Sequence, residues 1–121
     1  MDLISDLKWR GLIYDIVDEE GLVARLKEGP VSVYCGFDPT ADSLHIGHLV
    51  PIITLMRFQK YGNRPVAIIG GGTGLIGDPS GKTAERSMNT KETVALWSKC
   101  FEKQIGHFLK FDGKTLSLIH I

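Results

Sequence analysis

The sequence predicts an α/β fold built on a parallel sheet, and three observations carry that reading. Val31–Cys35 is a short apolar strand with alternating faces, and Val66–Ile69 is a continuous apolar run of the kind found in central parallel strands covered on both faces. Between them lies a stretch with helical periodicity. Strand, helix and strand make one βαβ unit, with the right-handed crossover such units adopt. At 121 residues the chain is the size of one small domain or a piece of a larger one, and its 43% apolar and 23% charged content is ordinary for a globular protein.

Residues 2 to 8 are predicted to form a short helix with Leu3, Ile4 and Leu7 inward, followed by a turn at Gly11. Asp18-Glu19-Glu20 opens a second helix, its acids at the positive end of the helix dipole, with Leu22, Val23 and Leu26 at helical spacing and Gly29-Pro30 as the stop. Residues 1–30 are therefore a helical leader, and no chemistry is assigned to it. In the first strand Val31, Val33 and Cys35 share one face, Ser32 and Tyr34 the other, and Gly36 is the expected end. The next helix is apolar at Ile46, Leu49, Val50, Ile53 and Met56, and again at Ile52, Leu55 and Phe58, so burial on two sides is expected. Proline costs about 3 kcal/mol inside a helix but is tolerated in the first turn, where its N–H would be unpaired anyway. Pro51 thus sets the regular helix to begin near His48, leaving His45-Ile46-Gly47 as its lead-in. Both imidazoles then lie at the positive end of the dipole.

Tyr61–Pro65 reads as a turn and Gly70–Gly81 as a glycine-rich loop; half of the 14 glycines fall between Gly62 and Gly81. Asn89, with Glu92 as capping-box partner, is expected to start a helix whose inward face is Val94, Trp97, Phe101, Ile105 and Phe108. Gly113 is expected to end it, and Lys114–Ile121 to supply a third strand. So few strands make the first half of a larger domain, not a finished sheet.

The formal net charge is zero, so no global pull toward nucleic acid or anionic lipid is implied, and any such partner needs a local basic patch. No apolar run approaches a membrane span, and Met1-Asp2-Leu3 lacks the basic start of a signal peptide. Cys35 and Cys100 form no Cys-x-x-Cys pair. Reduced thiols in a cytoplasmic setting are the expectation.

Three motifs present themselves and fail on context. Gly72-Thr73-Gly74-Leu75-Ile76-Gly77 fits G-x-G-x-x-G, but Asp78-Pro79-Ser80-Gly81 breaks the helix that should begin there. The acidic residue required about 20 positions on should end the next strand, and Trp97 and its neighbours there are helical. Gly81-Lys82-Thr83 resembles the end of a phosphate-binding loop, yet Ile76 stands where its first glycine belongs. His45 and His48 are close in sequence, but nothing completes a tetrahedral metal set, and no metal site is assigned. No base and orienting acid accompany Cys35 as a nucleophile.

Tyr34-Cys35-Gly36-Phe37-Asp38-Pro39-Thr40, continued through Leu44-His45-Ile46-Gly47-His48, resembles the His-Ile-Gly-His region of class I aminoacyl-tRNA synthetases. Together with Leu7-Lys8-Trp9-Arg10-Gly11-Leu12 and Thr73-Gly74-Leu75-Ile76-Gly77-Asp78-Pro79-Ser80-Gly81-Lys82, it is similar to the bacterial tyrosyl-tRNA synthetases specifically. Tryptophanyl enzymes share the architecture without this Asp-Pro-Thr string. The resemblance runs from about Met1 to Asp112. It implies that residues 31–112 are the first half of a Rossmann-type parallel-sheet class I synthetase catalytic domain. The tail, 113–121, does not resemble the family; a frameshift, a cloning or sequencing scar and a divergent strand would each produce it. The second signature of the class, a Lys-Met-Ser-Lys-Ser-type loop, is not in these 121 residues, nor is a tRNA-binding domain.

The resemblance implies an ATP-dependent tyrosine–tRNA ligase, with ATP as substrate, Mg2+ accompanying it, and no prosthetic group. Thr40 and His45 would stabilise charge on the departing pyrophosphate, and Lys82 and Arg86 would close on it. His48, Gly47, Cys35 and Gly36 would meet the nucleotide; for Cys35 a plain buried position at the strand end explains the residue as well. Tyr34 would hydrogen-bond the tyrosine phenol and Asp78 its ammonium, with Asp38 a further candidate in that pocket or a simple turn residue. The implied partners are L-tyrosine, ATP and tRNA-Tyr, with a homodimer for the full-length protein and inactivity for this segment alone. Two other readings stay open: a nucleotidylyltransferase with a His-x-Gly-His motif, and a truncated chain without catalysis.

Overall fold

The computed structural model describes residues 1–75, 90–112 and 117–120. Two leader helices come first, α1 (Leu3–Trp9) and α2 (Glu19–Glu28), each started by an aspartate. Asp2 accepts the Ser5 N–H at 2.8 Å and Asp18 the Gly21 N–H at 2.9 Å, which satisfies amides that a helix N-terminus leaves unpaired. Strand β1 (Ser32–Phe37), helix α3 (Leu49–Lys60) and strand β2 (Arg64–Ile69) form the expected βαβ unit. A single helical turn, α4 (Gly71–Gly74), then helix α5 (Lys91–Ile105) and strand β3 (Ser117–His120) complete the described elements. The sheet is parallel throughout in the order β1-β2-β3. The expected third strand is thus present and pairs with β2. No described helix is long and apolar enough to cross a membrane.

Asn63 clamps the start of the sheet. Its buried side chain accepts the Val31 N–H at 3.0 Å while Arg64 N–H donates to the Val31 carbonyl at 2.9 Å, which places Ser32 opposite Arg64. Gly62, at φ +84°, makes the tight exit from α3 that brings Asn63 there. Arg64 and Gly70 both donate toward β1, so the odd residues of β2 turn toward β3. Pro65, which has no N–H, stands one residue before β3's first partner, Val66, and leaves no gap in the ladder.

The core lies on one side of the sheet. Phe37, Ala67 and Ile69 meet Ile52 and Leu55 from α3 and Phe101, Ile105 and Leu109 from α5 and the residues after it. Two crossovers of one hand, with strands added in one direction, put both helices on the same face. A second cluster joins Leu3 and Leu7 of α1 to Phe58 of α3. Asp6 anchors that contact: it is 3% exposed, accepts from Arg57 Nε at 2.6 Å and from Arg10 Nε at 3.0 Å. Lys8 and Glu19 pair across the two leader helices.

Several sequence expectations give way to packing. Strand β1 runs through Gly36 to Phe37, because Phe37 is a core residue and its carbonyl accepts the Gly70 N–H. Helix α3 buries Ile52, Leu55 and Phe58, while Val50, and Ile46 in the turn before it, stay exposed and Leu49, Ile53 and Met56 are only half-buried, so burial on two sides is incomplete. On β2 the even residues Val66 and Ile68 are likewise only half-buried, against the odd Ala67 and Ile69 at the core. The glycine-rich loop opens with the turn α4. Thr90, not Asn89, caps α5 by accepting the Thr93 N–H, and Gly106, not Gly113, ends it. Ser98 is buried and Leu109 joins the core, while Phe108 is exposed, because the helix has stopped before Phe108 and the chain has turned.

Candidate active site

The carboxyl ends of β1 and β2 and the N-terminus of α3 lie at one edge of the sheet, where open α/β sheets hold ligands. The chain arrives there through Asp38-Pro39-Thr40. Pro39 is fully buried and Thr40 exposed, with the Thr40 N–H donating to the Asp38 carbonyl at 2.9 Å. The buried ring holds the loop against the core while the hydroxyl beside it faces outward.

A 3₁₀ turn, Ile46–His48, precedes α3, and its two histidines cap it reciprocally. His45 Nδ1 accepts the Gly47 N–H at 3.0 Å, and His48 Nδ1 accepts the His45 N–H at 3.0 Å. A nitrogen that accepts carries no proton, so each neutral ring bears its proton on Nε2. Both rings therefore present an N–H donor directed away from the backbone, at the positive end of a helix. The rings lie against each other, tilted by 36°, with centroids 3.9 Å apart. Gly47 makes this possible: a Cβ there would stand 2.8 Å from His45 Cε1. The helix start expected from Pro51 is observed, with α3 running from Leu49.

His48 is held between aromatic rings, 6.2 Å from Phe37 and edge-on to Phe101 at 5.7 Å. Burial, and then the neighbouring His45, push its pKa below the usual imidazole value. A neutral donor is the result. Behind the turn, Leu44 N–H donates to Gln104 Oε1 at 2.7 Å. Gln104, His107 and Phe108 line a cavity of about 260 Å³ with His45 and His48.

The other predicted residues divide between two faces of β1. Tyr34 is 75% exposed and shares the open face with Gly36, above which a Cβ would meet nothing within 4 Å. Cys35 lies on the core face with Val33; burial raises its thiol pKa, and its thiol donates to the Gly36 carbonyl at 3.7 Å. The fold thus brings His45, Gly47 and His48 together, and sets Tyr34 and Gly36 on the sheet face opposite to Cys35. Asp38 follows the strand at the same edge. Asp78, Lys82 and Arg86 lie outside the described residues. Phe101 and Gln104 were not singled out for the site from sequence: one reads as a core residue and the other as a polar residue of a helix end, and nothing local marks either as a neighbour of residues 44 to 48.

Comparison with known proteins gives this geometry its family. The family model "tRNA synthetases class I (W and Y)" matches residues 26–119, and so extends into the tail that carries β3. The tyrosine–tRNA ligase of Geobacillus stearothermophilus is 59% identical over 113 residues, which are 93% of this chain and 27% of that protein. The tyrosine–tRNA ligase of Escherichia coli K12 is 59% identical over 111 residues, 92% of this chain and 26% of that one. The chain spans about a quarter of the length of the curated relatives it matches. Among solved structures, a C-terminally truncated mitochondrial tyrosyl-tRNA synthetase of Coccidioides posadasii superposes with a TM-score of 0.77 at 28% identity, covering 99% of this chain and 35% of that one. The Archaeoglobus fulgidus tyrosyl-tRNA synthetase, solved with L-tyrosine, shares the fold at 21% identity and a TM-score of 0.71, covering 98% of this chain and 34% of that one. With a class I model covering most of its length and a parallel sheet whose site edge carries the His45–His48 turn, the chain belongs to the class I tRNA synthetases of the W and Y family.

Proposed function

We propose that the full-length protein carrying this segment is a tyrosine–tRNA ligase. A tyrosine carboxylate oxygen attacks the α-phosphorus of ATP, the bond from that phosphorus to the bridging oxygen of the β-phosphate breaks, and tyrosyl-adenylate and pyrophosphate form. The tyrosyl group then passes to tRNA-Tyr. One observation carries the reading: two adjoining imidazoles at a helix N-terminus, both with Nδ1 engaged as acceptor and the proton left on Nε2. The 59% identity to ligases of that specificity supports it.

The reaction needs positioning and charge stabilisation more than covalent chemistry. His45 Nε2–H and the Thr40 hydroxyl donate to phosphate oxygens as charge builds on the leaving pyrophosphate, and Lys82 and Arg86 add positive charge there. His48 and Gly47 hold the nucleoside end, with Gly36 leaving the strand bare for close approach and Cys35 at the ribose. Tyr34 accepts or donates at the substrate phenol, Asp78 pairs with its ammonium, and Asp38 contributes to the same pocket. The exposed face shared by Tyr34 and Gly36 supports a flat aromatic substrate lying there. Among the described residues no group of three or more His, Cys, Asp or Glu side chains is gathered to hold a metal. Mg2+ is accordingly proposed to arrive with ATP, on its phosphates. The working enzyme is proposed to be a cytoplasmic homodimer.

The test is tyrosine-dependent exchange of pyrophosphate into ATP by a full-length ligase carrying this segment, with none from the 121-residue chain alone. Exchange that ignores tyrosine and responds to another acyl or phosphoryl acceptor would place the protein among nucleotidylyltransferases instead.

A further inference from the structure

We infer that Gln104, in the last turn of α5, is a positioning residue for the His45 imidazole; the inference rests on the reading of His45 as a donor to phosphate. Two consecutive backbone amides in the lead-in to α3 are each caught by a side chain. Leu44 N–H donates to Gln104 Oε1 at 2.7 Å, and His45 N–H donates to His48 Nδ1 at 3.0 Å. Together they fix the peptide on both sides of Leu44, and with it the extended backbone of His45, at φ −119° and ψ 174°. That conformation is what lets the His45 ring fold back onto the Gly47 N–H and turn Nε2–H outward.

The neighbouring residues 41–43 are exposed, and the lead-in's own packing is the half-buried Leu44 side chain against the core. Gln104 itself is half-buried, and its helix is anchored in the core by Phe101 and Ile105. Phe101 lies one turn earlier on the same face of α5 and meets His48 edge-on at 5.7 Å. One helix face thus holds both ends of the two-histidine turn. Phe101 sets the His48 ring, and Gln104 sets the backbone from which His45 springs. Without the amide acceptor the Leu44 N–H turns to water, and the backbone before His45 is held, among the described residues, only by the Leu44 side chain and the His48 cap, so the His45 ring is set less closely.

Two variants separate positioning from mere stability, Gln104→Leu, which keeps the bulk and removes the acceptor, and Gln104→Glu, which keeps an oxygen in place. The first readout is the ¹⁵N shifts of the His45 ring in the full-length ligase carrying this segment. Wild type and Gln104→Glu are expected to show Nδ1 as acceptor and Nε2 protonated, and Gln104→Leu a mixture of tautomers. The second is tyrosine-dependent pyrophosphate exchange. Because small misplacements of a reacting group cost up to about 100-fold, kcat is expected to fall roughly 10- to 100-fold in Gln104→Leu, with KM for tyrosine changed less than about threefold. Gln104→Glu should recover most of the rate, because a carboxylate oxygen still accepts the Leu44 N–H.

His45 nitrogen shifts in Gln104→Leu that match wild type would overturn the inference. So would equal losses of kcat and melting temperature in both variants, the mark of a purely structural residue. If the wild-type ligase shows no tyrosine-dependent exchange, the proposed function falls, while the His45 shifts still decide the role of Gln104.

Discussion

His48 Nδ1 accepts the backbone N–H of His45 at 3.0 Å, and the two tilted rings lie with centroids 3.9 Å apart. That one contact makes the N-terminus of α3 sensitive to protonation. An imidazolium has no free lone pair, so a protonated His48 cannot keep the cap.

The pH dependence follows in sign. His48 titrates below its ordinary value of 6.5 in the fold, because burial and His45 disfavour its charged form. Its contribution to stability is therefore complete above that value, where folded and unfolded chains are both neutral, and is lost as pH falls through the lower folded pKa. An NMR titration is expected to show His48 protonating below the free imidazole, with loss of protection at the His45 amide in the same step. A His48 midpoint at or above the free value would contradict the reciprocal cap.

Gly47→Ala tests the ring that the glycine admits. The new Cβ would lie 2.8 Å from His45 Cε1, and the ring can rotate away, giving up its bond from the Gly47 N–H. The stability cost is about one hydrogen bond, roughly 0.5–1.5 kcal/mol. The exchange rate should fall much further, toward the roughly 10²–10³-fold loss expected for His45→Ala if His45 is a charge-stabilising donor. Combining the two substitutions should then add little to His45→Ala alone. Denaturant unfolding and exchange kinetics on the same preparations read both numbers; fully additive losses would mean that Gly47 acts independently of His45.

Asp6→Asn addresses the leader. Burial opposes the charge on Asp6, but hydrogen bonds from Arg57 and Arg10 outweigh it and hold the carboxyl below its usual range. Its stabilising contribution is present above the ordinary carboxylate pKa and disappears as pH falls through the lower folded value. The variant should be less stable at neutral pH and should lose less stability than wild type on acidification. Thermal melts from neutral to acid pH measure this, and parallel curves for the two proteins would show the pair to be without net effect. Arg57 lies in the last turn of α3, so the leader, read from sequence as a cover without chemistry, grips the helix that carries the histidines.

Much of this molecule was legible in its residues. A first strand, found at Ser32–Phe37 where Val31–Cys35 was expected, a helix starting by His48 and a third strand, described over Ser117–His120, are observed, because period, proline and caps act over a few positions. The differences came from packing and from which neighbouring side chain reached an amide. Gly36 looked like a strand end, yet the core claimed Phe37; Asn89 looked like a cap, yet Thr90 took the Thr93 amide. For the Gly70–Gly81 loop only its first turn, α4, is described, and the roles proposed for Asp78, Lys82 and Arg86 rest on resemblance.

The sequence by itself determined the α/β order, the placement of two histidines at a helix start and membership in a synthetase family. Each depends on residue types at short spacing. Only the tertiary structure decided which nitrogen of each histidine faces outward, that Gly47 makes room for His45, and that Gln104, 60 residues away in the chain, holds Leu44. The first two turn on how the chain folds back on its near neighbours and the third joins groups far apart in sequence, and in each a backbone N–H donates to whichever acceptor the fold delivers to it.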